Sequence, residues 1–231
     1  MSKSIVCLPG FLCDDRVWKF QMELLADHDY KVLDLRHSED LNHMLTLIEE
    51  SFSGPLTLLG FSMGGYVAQV FATRFPHRVE QIILIGVTGS PLSDSEFKTR
   101  VQMANMLKKV QFAGISAQAL QHYLHNESLK NDEIRKLIID MAASNNTEMY
   151  LNQLHATLHR LDLKITLNRL AFPVTLIGGV QDKISPKEKL EAFQKAVPRS
   201  TLHLIEGSGH FVPLEKPVEL NAILRTALSN N

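Results

Sequence analysis

The residues best placed to do chemistry lie in Gly60-Phe61-Ser62-Met63-Gly64-Gly65, a G-x-S-x-G pattern. Leu56–Phe61 reads as a buried strand and Met63–Phe75 as a helix. That is the strand–turn–helix setting in which the pattern exposes a serine as a nucleophile. A serine at the tip of such a turn adopts strained backbone, so the residues two before and two after it must be small. Gly60 and Gly64 satisfy this, and Gly65 lets the helix pack closely. The first helical N–H groups, Met63's among them, then face any negative charge developing beside the serine oxygen. The competing reading is a tight βα turn with Ser62 as a plain helix N-cap. The context favours the nucleophile.

A serine nucleophile needs a base, and the base needs an orienting acid. Of the 10 histidines, His210 stands apart in Glu206-Gly207-Ser208-Gly209-His210-Phe211, between the last strand signal and the last helix. His28, His37, His43 and His77 lie in polar loops or helix flanks, where a solvated side chain is ordinary. Asp182 follows the strand-like Val174–Ile177, at the carboxyl end where the ligand-facing loops of a parallel sheet gather. The other position for such an acid follows Gln81–Val87, and Thr88-Gly89-Ser90 supplies no carboxylate there. Chain order Ser62, Asp182, His210 suits the pattern. Phe11, after Pro9-Gly10, is the candidate for a second backbone donor beside Met63, a simple turn being the alternative. Together these groups would attack an acyl carbonyl, each oxyanion donor contributing roughly 3 to 4 kcal/mol. That chemistry calls for no metal and no organic cofactor. His155 and His159 are four apart, but Ala156 stands where a zinc-protease pattern needs glutamate. With His122 and His125 they read as solvated or capping side chains.

The elements that must position these residues are legible as alternation. Strands at Ile5–Pro9, Lys31–Leu35, Leu56–Phe61 and Gln81–Val87 are separated by helices at Val17–Leu25, Leu41–Phe52 and Met63–Phe75, as in βαβ units with a parallel sheet. From Pro91 to Asn168 only helical periodicity remains. Strands return at Val174–Ile177 and Thr201–Ile205, with helices at Pro186–Ala196 and Pro217–Leu228. The expected organisation is one α/β core, residues 1–90 and 169–231, interrupted by a helical cap at 91–168. The tail Ser229-Asn230-Asn231 is expected to fray.

Composition narrows the rest. The chain has 231 residues, 45% hydrophobic and 21% charged, with net charge -1 and pI near 6.8. This is a globular profile with no electrostatic pull towards nucleic acid or anionic lipid. No apolar run approaches the ~18 residues of a membrane span. Met1-Ser2-Lys3-Ser4 leads directly into a strand, without a signal-peptide pattern, so a cytoplasmic location is expected. Cys7 and Cys13 are expected to be free thiols.

Taken together, Leu8-Pro9-Gly10-Phe11, Gly60–Gly65, Asp182, and Gly209-His210 with Glu215-Lys216-Pro217 resemble the α/β-hydrolase superfamily. The branch is the compact, esterase-like one of carboxylesterases and pimeloyl-carrier methyl esterases. The resemblance implies a serine hydrolase acting on a small-molecule ester, through Ser62, Asp182 and His210 with an oxyanion hole at Phe11 and Met63. It also implies a mostly parallel sheet of about six strands, because the chain begins where the family's third strand lies. Pro9-Gly10 replaces the family's usual His-Gly. A serine in the turn argues against dehalogenase or epoxide hydrolase chemistry, where relatives use aspartate.

In the cap, Met103, Met106, Met141 and Met149 lie near Phe97, Phe112, Tyr123 and Tyr150. They suit either an apolar acyl pocket or packing of the cap on itself. Its nine Lys or Arg nearly balance eight Asp or Glu. Lys108-Lys109 and Lys130, Arg135, Lys136 are the candidate local patches for an acyl-carrier protein. Carbon–carbon bond hydrolysis and a ligand receptor retaining the triad stay open, as do monomer and homodimer.

Overall fold

The computed structural model describes residues 2–229. The chain enters through β1 (Ser4–Leu8), a 3-10 turn at Asp15–Trp18 and the short helix α1 (Met22–Leu25). It continues through β2 (Asp29–Val32), α2 (Leu41–Glu49), β3 (Leu56–Phe61), α3 (Met63–Arg74) and β4 (Val79–Ile85). A helical stretch follows, with α4 (Asp94–Leu107), α5 (Asp132–Ala143), α6 (Thr147–Ala156) and α7 (Lys164–Asn168). The chain closes with β5 (Val174–Gly179), α8 (Lys187–Ala196), β6 (Ser200–Ile205), α9 (Val212–Glu215) and α10 (Pro217–Ser229). Asn230 and Asn231, the end of the tail expected to fray, lie outside the described residues, whereas Ser229 closes α10.

The six strands form one sheet in the order β2-β1-β3-β4-β5-β6, and every neighbouring pair is parallel. Alternate strand residues feed two layers, as the two-residue period of a strand requires. Val6, Leu8, Leu58, Ile82, Leu84 and Leu176 join the layer packed under α2, α3 and α8. Ile5, Cys7, Leu59, Ile83, Ile85 and Ile177 join Trp18, Leu25, Leu220 and Leu224 on the other side. Both thiols are free and buried.

Where element bounds differ from the sequence reading, three of the differences have a plain physical cause. The second strand starts two residues early, at Asp29. It sits at the sheet edge, where Tyr30 and Val32 turn towards the interior between exposed Asp29 and Lys31, so its apolar signal is weak. The fourth strand spans Val79–Ile85 because Val79 already pairs with Leu56, and Gly86, at φ 58°, turns the chain away. The helix expected over Val17–Leu25 is two pieces. Asp14 caps the first by accepting from the Arg16 N–H, and buried Gln21 bonds the Pro213 carbonyl and Asn221 instead of prolonging it.

Among the described residues, 91–168 contains helices and 3-10 turns but no strand. The helices are well capped: a capping box joins Ser93 and Glu96 at α4, and Asn131 and Asn146 cap α5 and α6. At the far end, Leu163 and Leu167 are buried in the α3–α8 layer, which roots α7 in the sheet domain. Among the described residues no helix is long and apolar enough to cross a membrane.

Candidate active site

The sheet delivers its functional loops to one edge. Ser62 sits between β3 and α3 with φ 50° and ψ -110°, a left-handed backbone that is strained for a residue with a side chain. The surrounding backbone enforces it. A Cβ on Gly60 would come 2.6 Å from the Gly65 Cα, and one on Gly64 would collide with the Leu8 carbonyl. Gly60 therefore lets α3 fold back on β3, Gly64 lets it press against the end of β1, and the Ser62 amide donates to the Ile85 carbonyl at 2.8 Å.

The structure brings the three expected side chains together. His210 Nε2 lies 2.9 Å from Ser62 Oγ, and His210 Nδ1 lies 2.8 Å from Asp182 Oδ2. The other Asp182 oxygen accepts from the amides of Ile184 and Ser185 at 2.7 and 2.9 Å. Asp182 is 4% exposed and His210 3%. Burial opposes charge on Asp182, yet His210 and the two amides outweigh it and hold the carboxyl below its ordinary range. The carboxylate is thus kept ionised against a buried imidazole.

Sequence reasoning missed what fixes the histidine loop. The His210 amide donates to the Tyr123 carbonyl at 2.6 Å. Gly209 lies so close to the 123–125 backbone that a Cβ there would strike it, and Gly179 is similarly pressed against Ser208 and Gly209. Glu215 reaches back to accept from the His125 amide at 2.7 Å, and burial raises its carboxyl above the usual range. Ser185 Oγ donates to the Gly86 carbonyl at 2.8 Å, tying the aspartate loop to the end of β4. The Glu215-Lys216-Pro217 run was visible in the sequence, but nothing local in it indicates a partner 90 residues away.

The loop carrying Phe11 closes the other side. A Cβ on Gly10 would meet the Phe61 ring at 2.8 Å and the Ser62 Cβ at 3.4 Å, so only glycine lets this backbone approach the serine. Leu12 next to it also has a left-handed backbone, φ 60°. Side chains of the helical stretch hold it there. The Leu12 amide donates to Gln153 Oε1 at 2.9 Å, and Asn145 Nδ2 donates to the Leu12 carbonyl at 3.2 Å. Gln153 in turn donates to Asn145 Oδ1 at 3.0 Å. Among the described residues, neither the Phe11 nor the Met63 amide hydrogen-bonds within the protein.

Residues 9–217 match the family model described as the alpha/beta hydrolase fold. The chain belongs to that family. The thermophilic esterase from Thermogutta terrifontis superposes with a TM-score of 0.87 over 99% of this chain and 90% of its own, at 24% identity, a likeness of fold. In sequence, this hydrolase is 25% identical to the biotin biosynthesis bifunctional protein BioHC of Teredinibacter turnerae, covering 97% of the present chain but 44% of that one. It is also 25% identical to the pimeloyl-[acyl-carrier protein] methyl ester esterase of Nitrosomonas europaea, over 89% of this chain and 88% of the relative. The hydrolase therefore spans less than half of the bifunctional relative and most of the second.

Above Ser62 the hydrolase has a cavity of about 170 Å³, lined by Phe11, Phe61, His210 and Phe211 from the sheet domain and by Arg100, Ile115, Tyr123, Ile138, Thr157 and Arg160 from the helical stretch. A larger recess of about 390 Å³ shares Phe11, Leu12, Ile115 and Tyr123 with it. Met103, Met106, Leu107, Phe112 and Tyr150 give that recess its apolar wall. Of the four methionines singled out in the sequence, Met103 and Met106 line the recess, whereas Met141 is buried in the layer with Trp18. Cys13 lines the smaller cavity, but burial pushes its thiol far above the ordinary range, which leaves it unsuited to nucleophilic attack. Among the described residues no three His, Cys, Asp or Glu side chains converge as a metal site.

Proposed function

We propose that this hydrolase cleaves a carboxylic ester or thioester of a small to medium apolar acyl group through an acyl-enzyme on Ser62. The observation that carries this reading is the unbroken chain Asp182–His210–Ser62, with contacts of 2.8 and 2.9 Å, ending on a serine held in strained backbone.

The mechanism follows from the geometry. Asp182 accepts from His210 Nδ1–H, which leaves Nε2 unprotonated and facing Ser62. As Oγ attacks the acyl carbonyl, its proton passes to Nε2, and Asp182 stabilises the imidazolium. The carbonyl oxygen becomes an oxyanion that accepts from the unpaired amides of Phe11 and Met63, with the N-terminus of α3 adding its dipole. Collapse of this intermediate expels the alcohol or thiol, which takes the proton from Nε2, and leaves the acyl group on Ser62. Water then attacks the acyl-enzyme, giving its proton to Nε2. The second collapse breaks the Oγ–acyl bond, returns that proton from Nε2 to Ser62 Oγ and releases the acid.

The same reading divides the chain into a core, residues 1–90 and 169–231, and a cap, 91–168, whose last helix α7 is rooted in the core. The recess lined by Met103, Met106 and Phe112 is assigned to the acyl chain. An acyl-carrier substrate is a second reading, favoured by the esterase relative that matches 89% of the chain. The cap's basic residues support it only in part. Lys130, Arg135 and Lys136 are each neutralised by an acid of the cap itself, which leaves Lys108-Lys109, beyond the end of α4, as the patch for such a carrier.

Initial rates on 4-nitrophenyl esters of rising chain length test the first reading, with Ser62→Ala as the control. Turnover that disappears in the variant and peaks at a medium chain length is the expected result. A folded wild type inert towards every ester would refute it.

A further inference from the structure

The cavity above Ser62 holds a feature that cleavage of an apolar ester does not use. Two arginines line it, Arg100 from α4 and Arg160 from the turn after α6, and no aspartate or glutamate does. Neither guanidinium forms an ion pair among the described residues. Arg100 Nη1 donates to Thr157 Oγ1 at 3.1 Å, a neutral partner. The Arg160 guanidinium lies over the Tyr66 ring, 5.0 Å from its centre, and its Nε is buried with no hydrogen-bond partner. Glu96, the acid whose charge acts on both, is engaged in the Ser93 capping box.

Two positive groups gathered in a desolvated pocket without a counter-charge are costly to keep. Desolvation, together with the charge of Arg100, depresses Arg160 to about 10, and desolvation lowers Arg100 as well. An anion entering the cavity would remove that penalty, and a planar carboxylate matches the guanidinium fork. The apolar recess next door supplies room for a hydrocarbon chain and no charge.

Resting on the serine-hydrolase reading, we infer that the substrate is an anionic ester, with a free carboxylate held by Arg100 and Arg160 while Ser62 attacks its ester carbonyl.

The test compares monomethyl esters of linear dicarboxylic acids with the dimethyl esters of the same acids, following methanol release by wild type, Arg160→Gln and Arg100→Gln. The wild type should favour the monoanion in kcat/KM by at least about tenfold, and each variant should lose about 10- to 100-fold on it, the range for charge-assisted hydrogen bonds. The loss should fall mainly on KM and be at least tenfold smaller on the neutral diester. Equal activity of wild type on the two ester classes, or equal loss on both in the variants, would overturn the inference while leaving the serine mechanism standing.

Calorimetric titration of Ser62→Ala with the monoester separates the two claims. Binding that is present in Ser62→Ala and lost in Ser62→Ala/Arg160→Gln upholds the anion site even if no ester is turned over. Absence of that binding refutes it. Competition by a short alkyl phosphate but not by the matching alkyl carboxylate would also contradict the carboxylate assignment.

Discussion

The two halves of the site are held by different means. Around Ser62 and His210 the restraint is backbone against backbone: Gly60 on Gly65, Gly64 on Leu8, Gly179 on Gly209, with the His210 amide tied to the Tyr123 carbonyl. Around Phe11 it is side chains of the helical stretch, Gln153 and Asn145, that grip the Leu12 backbone on both sides. The first arrangement has no room to adjust. The second depends on α6 and the end of α5 staying where they are. On the proposed mechanism, the base is fixed by main-chain contacts with residues 123–125 as well as with the sheet, whereas the oxyanion loop hangs on two side chains, Gln153 and Asn145. Truncating Gln153 or Asn145 would therefore loosen the oxyanion loop while leaving the backbone contacts of His210 in place.

The largest break in this comparison is Ser62→Ala. It should lower kcat on any ester that the wild type hydrolyses by about 10⁵-fold or more without lowering thermal stability, since alanine keeps the same strained backbone and loses only the hydroxyl. Asp182→Asn comes next, with kcat reduced about 10³- to 10⁴-fold because the amide no longer selects the Nδ1–H tautomer. It carries a pH signature as well. The folded carboxyl titrates below its unfolded value, so its stabilising contribution is present above the unfolded pKa and is lost as pH falls through the folded one. Acid unfolding curves should show that Asp182→Asn lacks this share of the acid-side slope.

Gly64→Ala probes the rigid half by sterics alone. Its Cβ would meet the carbonyls of Leu8 and Pro9, so denaturation should report a loss of about 4 kcal/mol, at the severe end for one substitution. Gln153→Ala probes the adjustable half and should lower kcat roughly 10- to 100-fold, below the loss of a whole oxyanion donor. The KM should change little, and labelling of Ser62 by a phosphonate should slow by a similar factor. A Gln153→Ala variant with unchanged kcat would remove the coupling between cap and oxyanion loop. The smallest effect is expected for Met106→Ala. Met106 is 48% exposed at the rim of the apolar recess, so the preferred acyl length should shift with less than about 1 kcal/mol lost.

Much of the rigid half was legible in the sequence because its requirements are local. Small residues around Ser62, a glycine-flanked His210 and an acid after the β5 strand each leave a mark within a few positions. In the adjustable half Pro9-Gly10 pointed to Phe11, but the residues that hold that loop left no mark. Gln153 and Asn145 are polar residues in helical sequence, ordinary until the fold places them 141 and 133 residues from Leu12 along the chain and in contact with it. Arg100 and Arg160 were counted among balanced cap charges, and only the fold shows them facing a cavity without acids. The edge strand β2 was misplaced by two residues for a related reason. Its polar, alternating sequence is decided by pairing with β1 and not by an apolar run.

The measurement that bears most directly on the central claim is intact-protein and peptide mass spectrometry after treatment with an alkyl fluorophosphonate. A serine oxygen displaces fluoride from the phosphorus of this probe only where a base activates the hydroxyl and an oxyanion hole receives the phosphoryl oxygen. One adduct per chain is expected, located on Ser62, formed slowly in His210→Ala and absent in Ser62→Ala. Labelling of folded wild type at another residue, or no labelling at all, would contradict it.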